Sequence, residues 1–170
     1  MKSSLSTAEI AELALVDAHA AALRAHLLDE APAVAAAHVH GAQSKTIQVL
    51  VSRILRSQLG FAEERVLTKQ DGLVVNPRPD FVYRLGRDRG IIAEVERGGT
   101  TTNNHDLKDM WKAHISADTQ HLFLVVPQNN WKADGTPREK AYSAVVRRLG
   151  AFFGDPRREL DVVSAHIFGY

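Results

Sequence analysis

Apolar residues recur at helical spacing in several stretches of the chain. The first is rich in Ala and Leu, and Pro32 marks a break after it. The second begins at Ser44 and ends before Gly60, which is suited to a helix C-terminus. The pattern predicts helices over residues 7–31, 44–59, from a cap within 102–104 to about 115, and about 137–149.

Other stretches have the composition of β-strands. Phe81–Leu85 and Ile91–Glu96 are rich in β-branched and aromatic residues, and the loop between them has Gly at both ends, which predicts a hairpin. His121–Val126 is continuously apolar and is expected to be a fully buried strand. A short strand is predicted at 65–68 and a last strand at 160–168. The order from residue 44 to 127 is helix, strand, strand, strand, helix, strand, and we expect an α/β fold with a mixed sheet.

The predicted hairpin brings acidic residues together. Side chains alternate along a strand, so Glu94 and Glu96 share a face, whereas Ala93 and Val95 point the other way. If the hairpin closes symmetrically about its loop, Asp80 lies roughly opposite Glu96 on that same face. Three neighbouring carboxylates repel one another, and a divalent cation such as Mg²⁺ would reverse the sign of that interaction.

A solvent-exposed hairpin is the competing interpretation. In that case the carboxylates would pair with nearby Arg78, Arg84 and Arg97. The strand that carries Glu94 and Glu96 is too apolar for a fully exposed edge, which favours the metal site.

Composition narrows the function classes. The chain has 170 residues, 45% apolar and 24% charged, which suits one domain with a real core. No apolar run reaches the roughly 20 residues that cross a bilayer, and the absence of cysteine excludes disulfides and thiolate metal sites. A cytoplasmic protein with no membrane partner is expected.

His38 and His40 could bind a metal only on a strand, and no third ligand is evident.

A loop rich in Gly and hydroxyl groups, 97–104, runs into the third helix. The free N–H groups of a helix N-terminus suit a phosphate, but the Gly-Lys-Ser/Thr of a nucleotide-binding loop is missing, so no nucleotide cofactor is expected.

The helix is predicted to bury His114, with Lys108 at the border of its apolar face and Lys112 towards solvent. Phosphate or DNA contacts are predicted for Arg97, Thr100, Thr101, Asn103 and Lys112. For Arg97, a salt bridge to a glutamate is the alternative.

Pro79-Asp80, then Glu94-Val95-Glu96, then a helix and a buried strand, resembles the PD-(D/E)xK nuclease superfamily, which includes many restriction endonucleases. The resemblance covers about 44–127. It implies a restriction-endonuclease-like core, with 1–41 as a helical accessory region and 128–170 as a C-terminal helix and strand. It also implies metal-dependent hydrolysis of phosphodiester bonds in DNA, with Mg²⁺, or Mn²⁺ in its place, held by Asp80 and Glu94. The Val95 carbonyl is a candidate further ligand.

The chain departs from the superfamily pattern at one position. The motif lysine would fall where Glu96 stands, and Glu96 is then expected to orient or deprotonate water. A lysine from another element, Lys69 or Lys108, is the alternative. The acidic residue often found near the first helix corresponds to Glu63 or Glu64, with Glu64 preferred. A homodimer would allow both strands to be cut, whereas a catalytically inactive relative would bind nucleic acid or a protein partner without cleavage.

Overall fold

A mixed five-stranded β-sheet forms the centre of the computed structural model, which describes residues 5–41, 44–63, 77–155, 157 and 159–170. The strands, numbered along the chain, are β1 (Ala62–Glu63), β2 (Phe81–Arg84), β3 (Gly90–Val95), β4 (His121–Val126), β5 (Asn130–Trp131), β6 (Pro137–Glu139) and β7 (Ser164–Gly169). The sheet order is β1-β2-β3-β4-β7, and β5 and β6 form a separate hairpin. β1, β2 and β3 pair antiparallel, whereas β4 is parallel to both β3 and β7.

Helices cover both faces of this sheet. They are α1 (Thr7–Asp29), α2 (Ala31–Ala37), α3 (Ser44–Arg53), which continues as a π-helical turn (Ile54–Gln58), α4 (His105–Ile115) and α5 (Ala141–Phe153). A capping box of Ser6 and Glu9 starts α1, because each side chain binds the other residue's backbone N–H. Pro32 lies in the first turn of α2, where its missing N–H costs no helical hydrogen bond.

The core has two layers, one on each side of the sheet. Ile91, Ala93 and Val95 of β3 face α1, α2 and α3, whereas Ile92 faces α4 and α5. The alternation predicted for this strand is therefore confirmed, and so is the α/β class. All six residues of β4 are buried, because helices cover both of its faces.

Most predicted elements are present, with shifted ends. The bounds predicted for β4 are correct, and α1 ends two residues before the expected 31. The last helix begins at Ala141 rather than 137 because Pro137–Glu139 pairs in β6, and the last strand begins at Ser164 rather than 160. The strand predicted at 65–68 lies outside the described residues, although the short β1 ends immediately before that gap. In the described part of the chain, no helix is long and apolar enough to cross a membrane.

One carboxylate ties α1 to the start of β4 and to the β2–β3 loop. Glu12 accepts hydrogen bonds from the Arg89 guanidinium and lies 2.9 Å from Nε2 of the buried His121. The Arg89 hydrogen bonds lower the pKa of Glu12 to about 2, against a smaller opposing effect of burial. This contact fixes α1 over the start of β4.

Candidate active site

The hairpin register brings Asp80 beside Glu94. Phe81 pairs with Ala93 and Arg84 with Gly90, so one further step places Asp80 opposite Glu94 rather than Glu96. Gly90 was expected in the loop, but it lies in β3, where a Cβ atom would come within 2.8 Å of the Tyr83 carbonyl oxygen. The loop keeps its predicted length of five residues but lies one residue earlier, at 85–89. The pairing moves by two positions, and the acidic residues stay on one face.

The two carboxylates are locked to each other through the backbone. The Asp80 N–H donates to Glu94 Oε2 at 3.3 Å, and the Val95 N–H donates to Asp80 Oδ2 at 3.0 Å. Glu94 is only 2% exposed, whereas Asp80 is half-buried. They line a concavity of about 250 Å³ together with Val95, Glu96, Arg97, His105 and Lys112.

Lys112 neutralises this acidic face. Its Nζ lies 2.9 Å from Glu94 Oε1 and 2.9 Å from Asp109 Oδ1, and the side chain is 26% exposed. The prediction that Lys112 points towards solvent is therefore wrong. Lys108, the expected candidate on this helix, is exposed and forms no ion pair with a described residue.

Lys112 and Lys108 are placed differently from the prediction because α4 is rotated about its axis. The side that faces the sheet is not the one that its apolar residues indicate. It buries Asp106 and Asp109 beside Met110 and Ala113, whereas Trp111 is 53% exposed. His114, expected in the core, is 39% exposed in its side chain and accepts from the Asp161 N–H. Paired aspartates can point inward, and the apolar-stripe rule does not anticipate them.

Burial perturbs the pKa values of the acidic groups in this site. Burial raises the pKa of Glu94 to about 8, and the negative charges of Asp109 and Asp80 add to the effect against that of Lys112. Burial also raises the pKa of Asp109, to about 7, helped by the charge of Glu96 and opposed by Lys112. Burial lowers the pKa of Lys112, but Glu94 and Asp109 raise it by more, so Lys112 stays cationic. One ammonium therefore faces two carboxyl groups that ionise with difficulty.

Glu96 lines the same concavity, beside Asp109 and His105. Its carboxylate Oε2 lies 2.8 Å from Nδ1 of His105, and its backbone carbonyl accepts from the Tyr170 hydroxyl at 2.8 Å. The Glu96 side chain is 15% exposed, so it keeps limited access to solvent. Sequence reasoning missed His105, Asp109 and Tyr170. Only the positions of His105 and Asp109 on a helix that directly follows the acidic strand could have drawn attention to them.

The arginines of the exposed-hairpin interpretation lie elsewhere. Arg84 pairs with Asp118, Arg97 donates weakly to the Val39 carbonyl at 3.4 Å, and Arg78 is exposed. Among the described residues, none of the three pairs with Asp80, Glu94 or Glu96, which argues against that interpretation.

Arg148 of α5 holds the loop that precedes α4. Arg148 donates to the Thr101 carbonyl at 3.0 Å and to Asn104 Oδ1 at 2.6 Å, and its Nε lies 3.2 Å from Asp106 Oδ2. Thr100 is fully buried in this arrangement, so a direct phosphate contact by its side chain does not fit the structure. Thr101 is half-buried, and Asn103 is exposed.

Several other residues that the sequence suggested for the site lie away from it or outside the described residues. Glu64 and Lys69 lie outside the described residues. Glu63 forms a surface pair with Arg56, with 2.7 Å between Oε2 and Nη1. His38 and His40 each bind a backbone carbonyl of 129–131, so they hold a loop and do not converge on a common point.

A second groove leads into the site along α3. It has a volume of about 1020 Å³ and shares Gln48 and Asp80 with the concavity around Glu94. Its wall on α3 carries cationic and polar side chains, among them Lys45, Ser52 and Arg56. The lining carries three cations, Lys45, Arg53 and Arg56, against the carboxylate of Glu63, which pairs with Arg56. The groove therefore has a positive net charge before it reaches Asp80.

The chemistry of the donors suits a divalent cation. Asp80, Glu94 and Glu96 line one concavity, and carboxylate oxygens are the ligands that Mg²⁺ prefers. Within the described ranges, no group of three or more His, Asp or Glu side chains is already arranged to hold a metal ion. Comparison of the chain with protein-family models, curated proteins and solved structures finds no match.

Proposed function

We propose that this protein is a metal-dependent nuclease of the PD-(D/E)xK type, in which Lys112 of α4 replaces the lysine that is missing from the strand motif. The observation that carries the proposal is the convergence of Asp80, Glu94 and Lys112 on one concavity. The order helix, strand, strand, strand, helix, strand around this concavity supports the restriction-endonuclease-like fold.

The residues divide the chemistry of phosphodiester hydrolysis among themselves. Asp80 and Glu94 would hold Mg²⁺, with the Val95 carbonyl as a further candidate, and the ion would supply charge neutralisation and a more acidic water. Glu96 lines the concavity, keeps 15% of its side chain exposed and is fixed by His105, so it is placed to orient an incoming water and accept its proton. As the water oxygen bonds to phosphorus, the ester P–O bond breaks and the leaving oxygen takes a proton from solvent.

Lys112 acts as a fixed cation in this scheme. Its raised pKa keeps it charged at neutral pH, so it suits stabilisation of the phosphoryl oxygens and not proton abstraction. Its contacts to Glu94 and Asp109 hold the ammonium in place before substrate arrives. A group held in position requires no reorganisation in the transition state.

The α3 groove supports nucleic acid as the substrate class. Lys45, Ser52 and Arg56 lie along one wall, and the groove ends at Asp80. Most contacts between proteins and DNA go to phosphate oxygens, and Lys, Arg and Ser are typical donors. A nucleic-acid strand lying in this groove would bring a phosphate to the acidic concavity.

A binding protein without nuclease activity is the second candidate. The contact with Lys112 already compensates the charge of Glu94. Such a protein would keep the basic groove and would retain DNA without cutting it.

The deciding experiment is cleavage of supercoiled plasmid, single-stranded DNA and RNA with Mg²⁺ or Mn²⁺, against EDTA. Wild type is compared with Glu94→Ala and Asp80→Asn, and circular dichroism verifies that each variant is folded. Metal-dependent cutting that both substitutions abolish supports the proposal and identifies the substrate. Salt-sensitive retention of DNA with no cutting of any substrate would favour the binding protein.

A further inference from the structure

The outer face of α1 is unusual for a surface helix. The helix is rich in Ala and Leu around its circumference, and Ile10 and Leu28 are 56% and 64% exposed although Val16, Leu23 and Leu27 already bury its inner face. A helix with large apolar residues on more than one side is normally covered on more than one side. The outer face therefore needs a partner.

Its exposed residues follow the spacing of a helix-pairing seam. Steps of four, three, four, three and four residues connect the members, which all lie at the surface: Ile10, Ala14, Asp17, Ala21, Arg24 and Leu28. Alternating steps of three and four keep side chains on one stripe of a helix that packs lengthwise against another helix. The stripe runs along most of the 23 residues of α1, about 34 Å.

The seam is complementary to itself when reversed. If a second α1 lies antiparallel with a two-fold axis at Ala21, Asp17 meets Arg24 of the other copy, and Arg24 meets Asp17. The same axis sets Ala14 against Leu28, a small residue against a large one. Asp17 is 70% exposed, and its Oδ1 lies 3.6 Å from Nε2 of His166. Burial lowers the pKa of His166 and favours its neutral form, so the Asp17 carboxylate can still accept from a cation of the other copy. Arg24 forms no ion pair with any described residue. Isologous contacts of this kind are those of two-fold homodimers.

The neighbouring edge of the sheet gives an independent reason for a partner here. β7 pairs with β4 on one side, and its other edge has no strand partner in the described part of the chain. A groove of about 1120 Å³ lies between this edge and α1, with Asp17, Ala21 and Leu28 in its wall. β7 contains neither Lys nor Pro, which commonly protect exposed edges, and covering by a helix is another form of protection.

We propose that α1 pairs antiparallel with α1 of a second copy of this chain, with the two-fold axis at Ala21, and that each helix fills the groove beside the other copy's β7. The proposal does not depend on nuclease activity.

Sedimentation velocity and light scattering of the full chain test the association. Wild type is expected at twice the chain mass of 18.7 kDa. Ala21→Glu sets two carboxylates against each other at the axis and should give monomers, whereas Ala11→Glu, which lies on the same helix about 100° from the seam, should leave the dimer intact. A monomeric wild type, or a dimer that folded Ala21→Glu does not weaken, overturns the proposal.

Charge exchange tests the register. Asp17→Arg or Arg24→Asp alone places like charges opposite each other twice per dimer and should weaken association. The double exchange should restore it, because opposite charges face each other again. Failure of the double variant to recover beyond either single variant would refute the antiparallel register.

The chain has no cysteine, which allows a covalent test. Packed helices have axes about 8–10 Å apart and Cα atoms about 2.3 Å from each axis, so facing Cα atoms at the axis are about 4–5 Å apart. That separation suits a disulfide. Ala21→Cys should therefore oxidise to a covalent dimer and Ala11→Cys should not; equal yields from both would contradict the two-fold axis.

Discussion

The ammonium of Lys112 lies 2.9 Å from a carboxylate oxygen of Glu94, although the two residues are on different elements and Glu94 is almost fully buried. This pair joins the middle of the sheet to α4. It also places a fixed positive charge where the strand motif itself offers only carboxylates. The proposed nuclease activity depends on this pair.

Removing the Lys112 ammonium should abolish cleavage, whereas removing that of Lys108, on the same helix, should not. We expect Lys112→Ala to lower kcat/KM by at least about 100-fold, as loss of a preorganised charged donor does. Lys108→Ala should change it little, because Lys108 is exposed and unpaired with any described residue. Initial rates on the substrate identified by the cleavage assay measure both. The opposite ranking would place Lys108 in the site, as the sequence alone had indicated.

Glu94 should make stability depend on pH in a direction opposite to that of most carboxylates. Its pKa is about 8 in the folded protein, above the value of 4.5 expected when unfolded, so its contribution is full below about pH 4.5 and is lost as pH rises to about 8. Glu94→Gln removes this loss. We expect the variant to gain roughly 2–4 kcal/mol relative to wild type between pH 4.5 and 8. Urea unfolding across that range measures the difference, and a gap that is constant with pH would contradict the raised pKa.

The Glu12 contact should have the reverse pH dependence. Its pKa of about 2 lies below its ordinary 4.5, so the stabilisation is present above about pH 4.5 and is lost as pH falls towards 2. Since Arg89 is 38% exposed and His121 is buried, we expect Glu12→Gln to cost about 1–3 kcal/mol at pH 7. Glu63→Gln, in a surface pair, should cost less than about 0.5 kcal/mol. Thermal unfolding of both variants at pH 7 gives the comparison.

Reversing charge along the α3 groove should weaken DNA binding in a salt-dependent way. Lys45→Glu and Arg56→Glu would each remove a proposed phosphate contact, and Arg56→Glu also breaks the pair with Glu63. We expect weaker binding together with a shallower dependence of affinity on salt. Arg87→Glu makes the same charge change in the β2–β3 loop, at the far end of the hairpin from Asp80, and should have little effect. Fluorescence anisotropy with a labelled duplex at several salt concentrations measures both quantities. Equal losses from all three variants would indicate a nonspecific effect of net charge.

Local patterns predicted the elements well because they depend on neighbouring residues. The alternation along β3 and the continuous apolar run of β4 follow directly from the periodicity of a strand, and both predictions are confirmed. The same reasoning placed Asp80 and Glu94 on one face, which needs only parity along the strands.

The hairpin register and the orientation of α4 depend on contacts between residues distant in the sequence. Local patterns do not reveal such contacts. The hairpin register shifted by two because Gly90 was needed for a close backbone approach within β3. The orientation of α4 was predicted from its apolar residues, but Arg148 and Lys112 allow Asp106 and Asp109 to be buried. Those partners are distant in sequence or were expected to face solvent, so the identity of the lysine in the site could not be predicted.

The position of β7 beside β4 has a consequence for how the protein is made. β4 lies between β3 and the last strand in the chain, so the ribosome completes β4 well before it supplies β7. Until then β4, whose six residues are all buried in the finished fold, can pair only with β3 on one edge. Its second edge is open to strands of other nascent chains. Parallel pairing of residues so far apart in the chain is also slow to form. Yield of soluble protein should therefore depend on synthesis rate and on chaperones that shield this edge, even if the completed fold is stable.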